Sequence, residues 1–268
     1  VVDVDWRDGD VAVLAVKSQD TAGVLDQLRL AAPSDVPVVC LQNGVDNERQ
    51  ALRVFPNVYG VCVVLPADHL EPGRVRIYTT PTPGILDLGR YPDGIDATGE
   101  QISAAFRQAG FESVARPDIM RWKYRKLMMN LGNAVEALLG TVTSWPASSE
   151  IARRAAAEGE AVLAAAGIEA VSPEEDAARR GEALRLQPVG GERRGGGSTY
   201  QSLQRQVPVE TDYLTGEIVL LGRLHGVPTP VNELLQRLVA EAAARHEPPA
   251  RYTEAELLEM LAVRPGQE

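Results

Sequence analysis

The sequence predicts a domain of the α/β class followed by an all-helical domain. Two observations carry this prediction. Up to about residue 116, short apolar runs of strand length alternate with segments of helical periodicity. From Pro117 onward, the apolar residues recur with the helical period alone. Strands that alternate with crossover helices are typical of a parallel sheet with helices on its faces. We therefore expect an α/β domain over residues 1–116 and a helical domain over residues 117–268.

The α/β part is expected to contain three strands buried on both faces, because three apolar runs have the length of a strand. They are VAVLAV at 11–16, VPVVCL at 36–41 and GVCVVL at 60–65. Further short strands are predicted at 74–78, 84–89 and 112–115. Helices are predicted at 21–30 and 97–108, and Gly110 is expected to end the second of them.

The helical part is expected to contain five helices. Capping residues, glycine stops and apolar periodicity predict them at 118–139, 150–166, 209–225 and 230–245, with a short last helix after a capping box of Thr253 and Glu256. Residues 188–197 (PVGGERRGGG) hold five glycines and two arginines, so no regular structure is expected there. The composition favours a surface linker, and an active-site flap is the alternative.

Composition argues against several classes of protein. The formal charge of −10 argues against a nucleic-acid partner, because phosphate backbones bind clustered Lys and Arg. No apolar run approaches the roughly 18 residues that span a bilayer. Cys40 and Cys62 lie in strand-like runs and are expected to be buried free thiols. The sequence has no CxxC or HExxH spacing, which argues against a zinc site. Without a signal peptide, a reducing cytoplasm is the expected compartment.

One predicted helix carries a polar stripe. Lys126, Asn130, Asn133 and Ala137 follow each other at helical spacing and so share one face. The segment 127–139 is otherwise apolar nearly all round, so the stripe is expected to be buried and to need polar partners. The functional interpretation is a cleft of one cation and two amides for an anionic carbonyl substrate. The structural alternative is a stripe that faces solvent.

Three further polar residues lie where ligands commonly bind. Lys17 follows the first predicted strand and Asn43 follows the second, and ligands bind at the carboxyl ends of strands in an open parallel sheet. Glu210 begins a predicted helix, where the exposed amides favour a carboxylate. Each position also has a structural explanation, since Asn43–Gly44 is a good turn and the helix dipole alone accounts for Glu210.

Six segments of the chain, in the order in which they occur, resemble those of the ketopantoate reductases. They are AVKSQDT, LQNGVDN, a strand pair around PTPG, WKYRKLMMN, VETDYLTGE and HGVPTPVNELL, spread over nearly the whole chain. The resemblance implies a Rossmann-like domain followed by a helical domain of the 6-phosphogluconate-dehydrogenase-like type. It also implies that the family's first βαβ unit, with its GxGxxG loop, has no counterpart in this chain. We therefore expect the chain to begin near the fourth strand of the family's sheet.

The reaction implied by the resemblance is the NADPH-dependent reduction of 2-dehydropantoate to pantoate, a step towards pantothenate and coenzyme A. Lys126 corresponds to the catalytic lysine, which would polarise the carbonyl and donate a proton. Glu210 corresponds to the active-site glutamate. Lys126 is preferred to Lys123 as the proton donor, because Lys123 is expected to lie in a wetter part of the helix, between Arg121 and Arg125.

The resemblance also implies a set of binding residues. Asn130, Asn133 and Ser198 match positions that hold the substrate, while Lys17 and Asn43 match positions near the nicotinamide end of NADP(H). The expected partners are a small keto acid and, through the helical domain, a second copy of the chain. Two alternatives stay open, namely a reductase of the same architecture for another 2-keto acid or an imine, and a non-catalytic protein that lacks the cofactor loop.

Overall fold

The computed structural model describes residues 4–141, 149–192 and 194–262. These residues form two compact units. The first unit takes in the chain up to Ala67, Arg76–Lys126 and a segment that begins at Ala170. The second takes in Asp68–Val75, Leu127–Glu169 and the chain from Arg194 onward. The chain thus passes between the units several times, where the sequence predicted one boundary after residue 116. The assignment of one domain to the cofactor and the other to the substrate stays a prediction.

The described residues contain eight strands: β1 (Ala12–Leu14), β2 (Val38–Cys40), β3 (Val58–Val64), β4 (Ala67–Glu71), β5 (Arg74–Ile77), β6 (Thr79–Pro81), β7 (Ile85–Arg90) and β8 (Leu184–Leu186). The central sheet of the first unit has the order β1-β2-β3-β7. Its first three strands are parallel, as predicted. The fourth strand, β7, departs from the predicted parallel sheet and runs antiparallel to β3. The chain returns from β3 to β7 without a crossover helix, and such a connection favours antiparallel pairing.

Helices cover both faces of this sheet. Val38 and Cys40 of β2 pack in one apolar cluster with residues of α1 (Thr21–Ala31) and α2 (Asn47–Leu52). Val39 points to the opposite face and packs in a second cluster with Ile102 of α3 (Ala97–Gln108). This two-sided burial explains why β2 and β3 are continuous apolar runs. The expectation of burial on both faces is wrong for β1, because Val13 is 46% exposed. The predictions for α1 and α3 are confirmed, the second to the residue. The strand predicted at 112–115 appears as two parallel bridges to β7.

A helix that the sequence analysis did not predict follows in the first unit. It is α6 (Pro173–Arg180), and Ser172 and Glu175 form a capping box at its start. Arg179 pairs with the buried carboxylate of Asp87 on β7 at 2.7 Å, and the Nε of Arg116 donates to the same carboxylate at 2.7 Å. After α6, strand β8 pairs antiparallel with β6. The Arg179–Asp87 pair and the pairing of β8 with β6 therefore attach this segment to the first unit.

The second unit is helical apart from Asp68–Val75, which spans parts of β4 and β5. It contains α5 (Glu150–Ala165), α7 (Ser198–Gln204), α8 (Thr215–His225), α9 (Pro230–Ala244), α10 (Glu254–Ala262) and the second half of α4 (Ile119–Leu139), which leaves the first unit after Lys126. One apolar cluster joins α4, α5, α7, α9 and α10. Among the described helices, none is long and apolar enough to cross a membrane.

The helix predictions for this unit are confirmed with one exception. The predicted helix at 209–225 is wrong before Thr215, because Thr211–Tyr213 forms a 3-10 turn. The backbone of Leu214 then leaves the helical region (φ −112°, ψ −87°), so α8 begins only after it. The predicted capping box is confirmed, since Thr253 N donates to Glu256 Oε2 at 2.7 Å and Glu256 N donates to Thr253 Oγ1 at 3.3 Å.

Candidate active site

Lys17 and Asn43 lie three residues after β1 and β2, beyond the carboxyl ends of two neighbouring parallel strands. Lys17 precedes a 3-10 turn, Ser18–Asp20, and Asn43 precedes α2. The buried side chain of Asn47 joins the two loops. Its Nδ2 donates to the backbone oxygen of Asn43 at 2.9 Å and to Ser18 Oγ at 3.2 Å. The structure therefore brings the two predicted cofactor loops together, as strand-end positions should.

Further buried hydrogen bonds hold the same two loops. Gln42 Nε2 donates to the backbone oxygen of Val16 at 2.8 Å and to Thr21 Oγ1 at 2.9 Å. Thr21 Oγ1 in turn donates to Asn47 Oδ1 at 2.8 Å. Thr21, Gln42 and Asn47 are all buried. A chain of side chains thus fixes the backbone on either side of Lys17 and Asn43.

Lys123 corrects one expectation. It is only 3% exposed, whereas Lys126 is half-buried, so Lys123 does not lie in the wetter part of the helix. Its ammonium lies 2.6 Å from Glu48 Oε1 and donates to the backbone oxygens of Gln42 at 2.9 Å and Val61 at 3.2 Å. The expectation failed because the first turns of α4 pack against the sheet, which no helical periodicity could show.

Near Lys123, the pKa values of Glu48 and Cys62 are both raised. Burial raises the pKa of the Glu48 carboxyl, and the Lys123 ammonium opposes that rise. Burial likewise raises the pKa of Cys62 to about 11, although Lys126 and Lys123 oppose it. A thiol with such a pKa is protonated at neutral pH, so Cys62 is no candidate nucleophile. Cys40 and Cys62 are both buried and free, as predicted.

The polar stripe continues into the second unit on α4. Asn130 is 5% exposed, so at this position the stripe does not face solvent. Asn133 contacts the glycine-rich segment, because a Cβ on Gly197 would lie 2.8 Å from Asn133 Oδ1. Gly197 N also donates to Glu136 Oε2 at 2.6 Å. Since Ser198 follows directly as the first residue of α7, the structure brings Asn133 and Ser198 into the same neighbourhood.

Glu210 lies at the N-cap position of the 3-10 turn and is half-buried. The expectation that it begins an α-helix is therefore wrong, and the helix dipole no longer explains a carboxylate here. The glycine-rich segment holds no helix or strand among its described residues, which are 188–192 and 194–197. The linker and flap interpretations of the segment and the catalytic role of Glu210 stay predictions.

The sequence alone did not reveal the contacts of three charged residues, Glu48, Lys123 and Glu136. Glu48 gave no signal, because its neighbours Asn47, Arg49 and Gln50 make the segment look solvated. Lys123 was noticed but placed in solvent. Glu136 does have a local signal, since it is a lone carboxylate on an otherwise apolar stretch of helix.

Known proteins resemble the chain over most of its length. The sequence model of the family described as "Ketopantoate reductase PanE/ApbA" matches residues 4–93, and that of "Ketopantoate reductase PanE/ApbA C terminal" matches residues 118–243. A 2-dehydropantoate 2-reductase of Archaeoglobus fulgidus is 31% identical over 239 residues, 87% of this chain and 76% of the relative. One from Pyrococcus horikoshii is 28% identical over 236 residues, 86% of this chain and 74% of the relative.

Solved structures agree. A PanE/ApbA family ketopantoate reductase from Ralstonia eutropha JMP134 superposes with a TM-score of 0.71 at 27% identity, covering 88% of this chain and 76% of its own. D-mandelate dehydrogenase, solved with NADH and anilino(oxo)acetate, shares the fold at a TM-score of 0.72 and 23% identity, covering 90% and 79%. With two family models and a relative above 30% identity in agreement, the chain belongs to the ketopantoate reductase family.

Proposed function

We propose that this protein is an oxidoreductase that reduces 2-dehydropantoate to pantoate with NADPH. The observation that carries the proposal is the attachment of α4 to the loop of Asn43. Lys123 of α4 donates to the backbone oxygen of Gln42, the residue before Asn43. Lys126 follows one helical turn later, so the proposed proton donor and the proposed cofactor loop are held by the same element.

The residues at the strand ends fit a nicotinamide dinucleotide by the chemistry of their donors. Lys17 offers an ammonium and Asn43 a carboxamide, beside the ends of two parallel strands where such ligands bind. The bound cofactor would supply the hydride. Preference for NADPH over NADH is part of the proposal, and it is supported by the resemblance to the family alone.

The chain's own residues would handle the proton and the orientation of the substrate. As C2 of the keto acid is reduced, Lys126 would donate a proton from Nζ to the carbonyl oxygen, where negative charge develops. Asn130, Asn133 and Ser198 would donate hydrogen bonds to the carboxylate and hydroxyl of the substrate. Glu210 would accept a hydrogen bond from the substrate hydroxyl and help to hold Lys126.

The test is an assay of the purified protein with 2-dehydropantoate and NADPH, in which the loss of NADPH absorbance is monitored. Lys126→Ala is expected to lower kcat by about 10² to 10⁴, the usual contribution of a general acid. Arg125→Ala removes the neighbouring cation outside the stripe and is the matched control, with kcat within about threefold of the parent. An effect of Lys126→Ala on KM alone would contradict the role of general acid.

Parallel assays separate the parts of the proposal. Turnover of 2-oxo-3-methylbutanoate or phenylglyoxylate, but not of 2-dehydropantoate, would refute the substrate and retain the class of reaction. Equal kcat/KM with NADH and NADPH would refute the cofactor preference.

A further inference from the structure

We propose that Glu48 and Lys123 are a positioning pair, which holds the Asn43 loop in register with the turn of α4 that carries Lys126. The inference rests on the proposed function and deepens it. Neither residue is expected to touch the substrate. Their effect on the reaction would pass through the backbone that they hold.

The first support is that Lys123 binds three different elements at once. An ammonium has three donors and no acceptor. Those of Lys123 are directed at Glu48 of α2, at the backbone oxygen of Gln42 after β2 and at the backbone oxygen of Val61 in β3. The side chains of Lys123 and Glu48 are 2% and 0% exposed. A buried lysine with three fixed partners cannot change rotamer without breaking all of these contacts.

The second support is that the sheet leaves room for the pair. Gly60 lies in the middle of β3, where a glycine weakens the strand. A Cβ at this position would lie 3.1 Å from Glu48 Oε1 and 3.3 Å from Lys123 Cδ. Both approaches are closer than ordinary van der Waals contact. The glycine therefore permits the pair to lie against the strand.

The third support is that the pair is expected to add little to the stability of the fold. Glu48 Oε2 has no hydrogen-bond partner among the described residues, and burial raises the pKa of this carboxyl. Replacement of a buried ion pair by uncharged groups of similar volume is often neutral or stabilising. An incompletely satisfied pair at the ends of the strands is thus better explained by the geometry that it fixes.

The pair also reaches the second cofactor loop through Gln42. The main-chain oxygen of Gln42 accepts from Lys123, while its side chain donates to the backbone of Val16, the residue before Lys17. Displacement of Lys123 would therefore shift the backbone beside Asn43 and beside Lys17 together. A change of this kind raises KM for the cofactor as well as lowering kcat.

The main test uses the double variant Glu48→Gln/Lys123→Met, which removes both charges and keeps similar volumes. We expect a melting temperature at or above that of the parent. We also expect a lower kcat and a higher KM for NADPH, so that kcat/KM falls by about 10- to 100-fold. Arg179→Met is the matched control, because it breaks a comparable pair with buried Asp87 elsewhere in the unit. It should lower the melting temperature and leave kcat and KM within about twofold.

Gly60→Ala provides a second test if the double variant does not fold. It keeps both charges and displaces them by a few tenths of an ångström, so we expect the same changes in kcat and KM at about 3- to 10-fold. The proposal would be overturned if the folded double variant had kcat and KM within twofold of the parent. If the double variant does not fold, the same result for Gly60→Ala would overturn it.

Amide hydrogen exchange makes the outcome independent of the substrate. In the double variant without ligands, exchange at residues 16–18 and 42–44 should become faster relative to the rest of the first unit, and in Arg179→Met it should not. Unchanged exchange in both loops would refute the positioning pair even if the parent reduces 2-dehydropantoate. Faster exchange in a parent that reduces no 2-keto acid would support the pair as an anchor of the loops and refute the proposed function alone.

Discussion

Asp96 accepts hydrogen bonds from three separate parts of the first unit. Its Oδ1 caps α3 by accepting from Gly99 N at 2.8 Å. Its Oδ2 accepts from the hydroxyl of Tyr59 at 2.8 Å and from Arg90 Nη1 at 2.8 Å. Partial burial raises the pKa of Asp96, but the amide, the hydroxyl and the guanidinium outweigh it and hold the pKa below its ordinary value.

Asp96→Ala is therefore expected to lower the free energy of unfolding by about 1 to 2 kcal/mol at pH 7. Because the pKa is lower in the folded state, the carboxylate stabilises the fold above its ordinary pKa. That contribution is lost as the pH falls through the folded pKa, so the difference from the parent should shrink below about pH 4. Urea unfolding at pH 7 and pH 3 measures both effects. Asp93→Ala, an exposed neighbour, should match the parent at both pH values.

Among the secondary-structure elements, those with local signals were predictable. Helix α3 was predicted to the residue, because its stop at Gly110 is a local signal, and the structure adds a cap at Asp96. The direction of β7 was not predictable, since it depends on how the chain returns from β3. Helix α6 was missed although its capping box is legible, because the helix buries no residue and so shows no apolar periodicity.

The same distinction holds for the candidate site. Lys17, Asn43 and the stripe on α4 could be predicted, because strand ends and helical spacing are local properties. The contact of Lys123 with Glu48 could not be, because it joins residues of α4 and α2 that only the folded sheet brings together. The order of the segments, rather than any single motif, indicated the family.

Two glycines give opposite expectations for the same substitution. A Cβ on Gly89 of β7 would lie 2.0 Å from the backbone oxygen of Arg116 and 3.0 Å from Ile119 Cβ. Gly89→Ala should therefore destabilise the protein by about 3 kcal/mol or more. A Cβ on Gly23 of α1 would meet no atom within 4 Å, so Gly23→Ala should stabilise it by about 0.5 kcal/mol. Chemical denaturation of the two variants checks the signs, and equal effects would contradict the close approach at Gly89.

On the scale of the whole molecule, the chain does not divide at one point. The segment that begins at Ala170 lies between two stretches of the helical unit in sequence, yet it belongs to the first unit. Arg179 and β8 attach it there. The stability of the first unit therefore depends on residues that a sequence-based boundary would assign to the second domain.

Arg179→Met tests this dependence. Because Asp87 would stay buried with Arg116 as its remaining cation, we expect a loss of about 2 to 3 kcal/mol in the free energy of unfolding. Arg237→Met breaks an exposed pair with Glu241 and should cost no more than about 0.5 kcal/mol. Losses of equal size in the two variants would show that the segment is not held by Arg179.

The return of this segment has a consequence for synthesis on the ribosome. Asp87 leaves the exit tunnel 92 positions before Arg179, the residue that completes its pairing. At about 5 to 20 residues per second, this interval lasts about 5 to 20 s. Throughout this interval, β6 lacks its partner β8 and exposes an unpaired strand edge. Such edges promote aggregation of nascent chains. The nascent first unit thus completes its fold only after α5 and the second half of α4, both in the helical unit, have been translated.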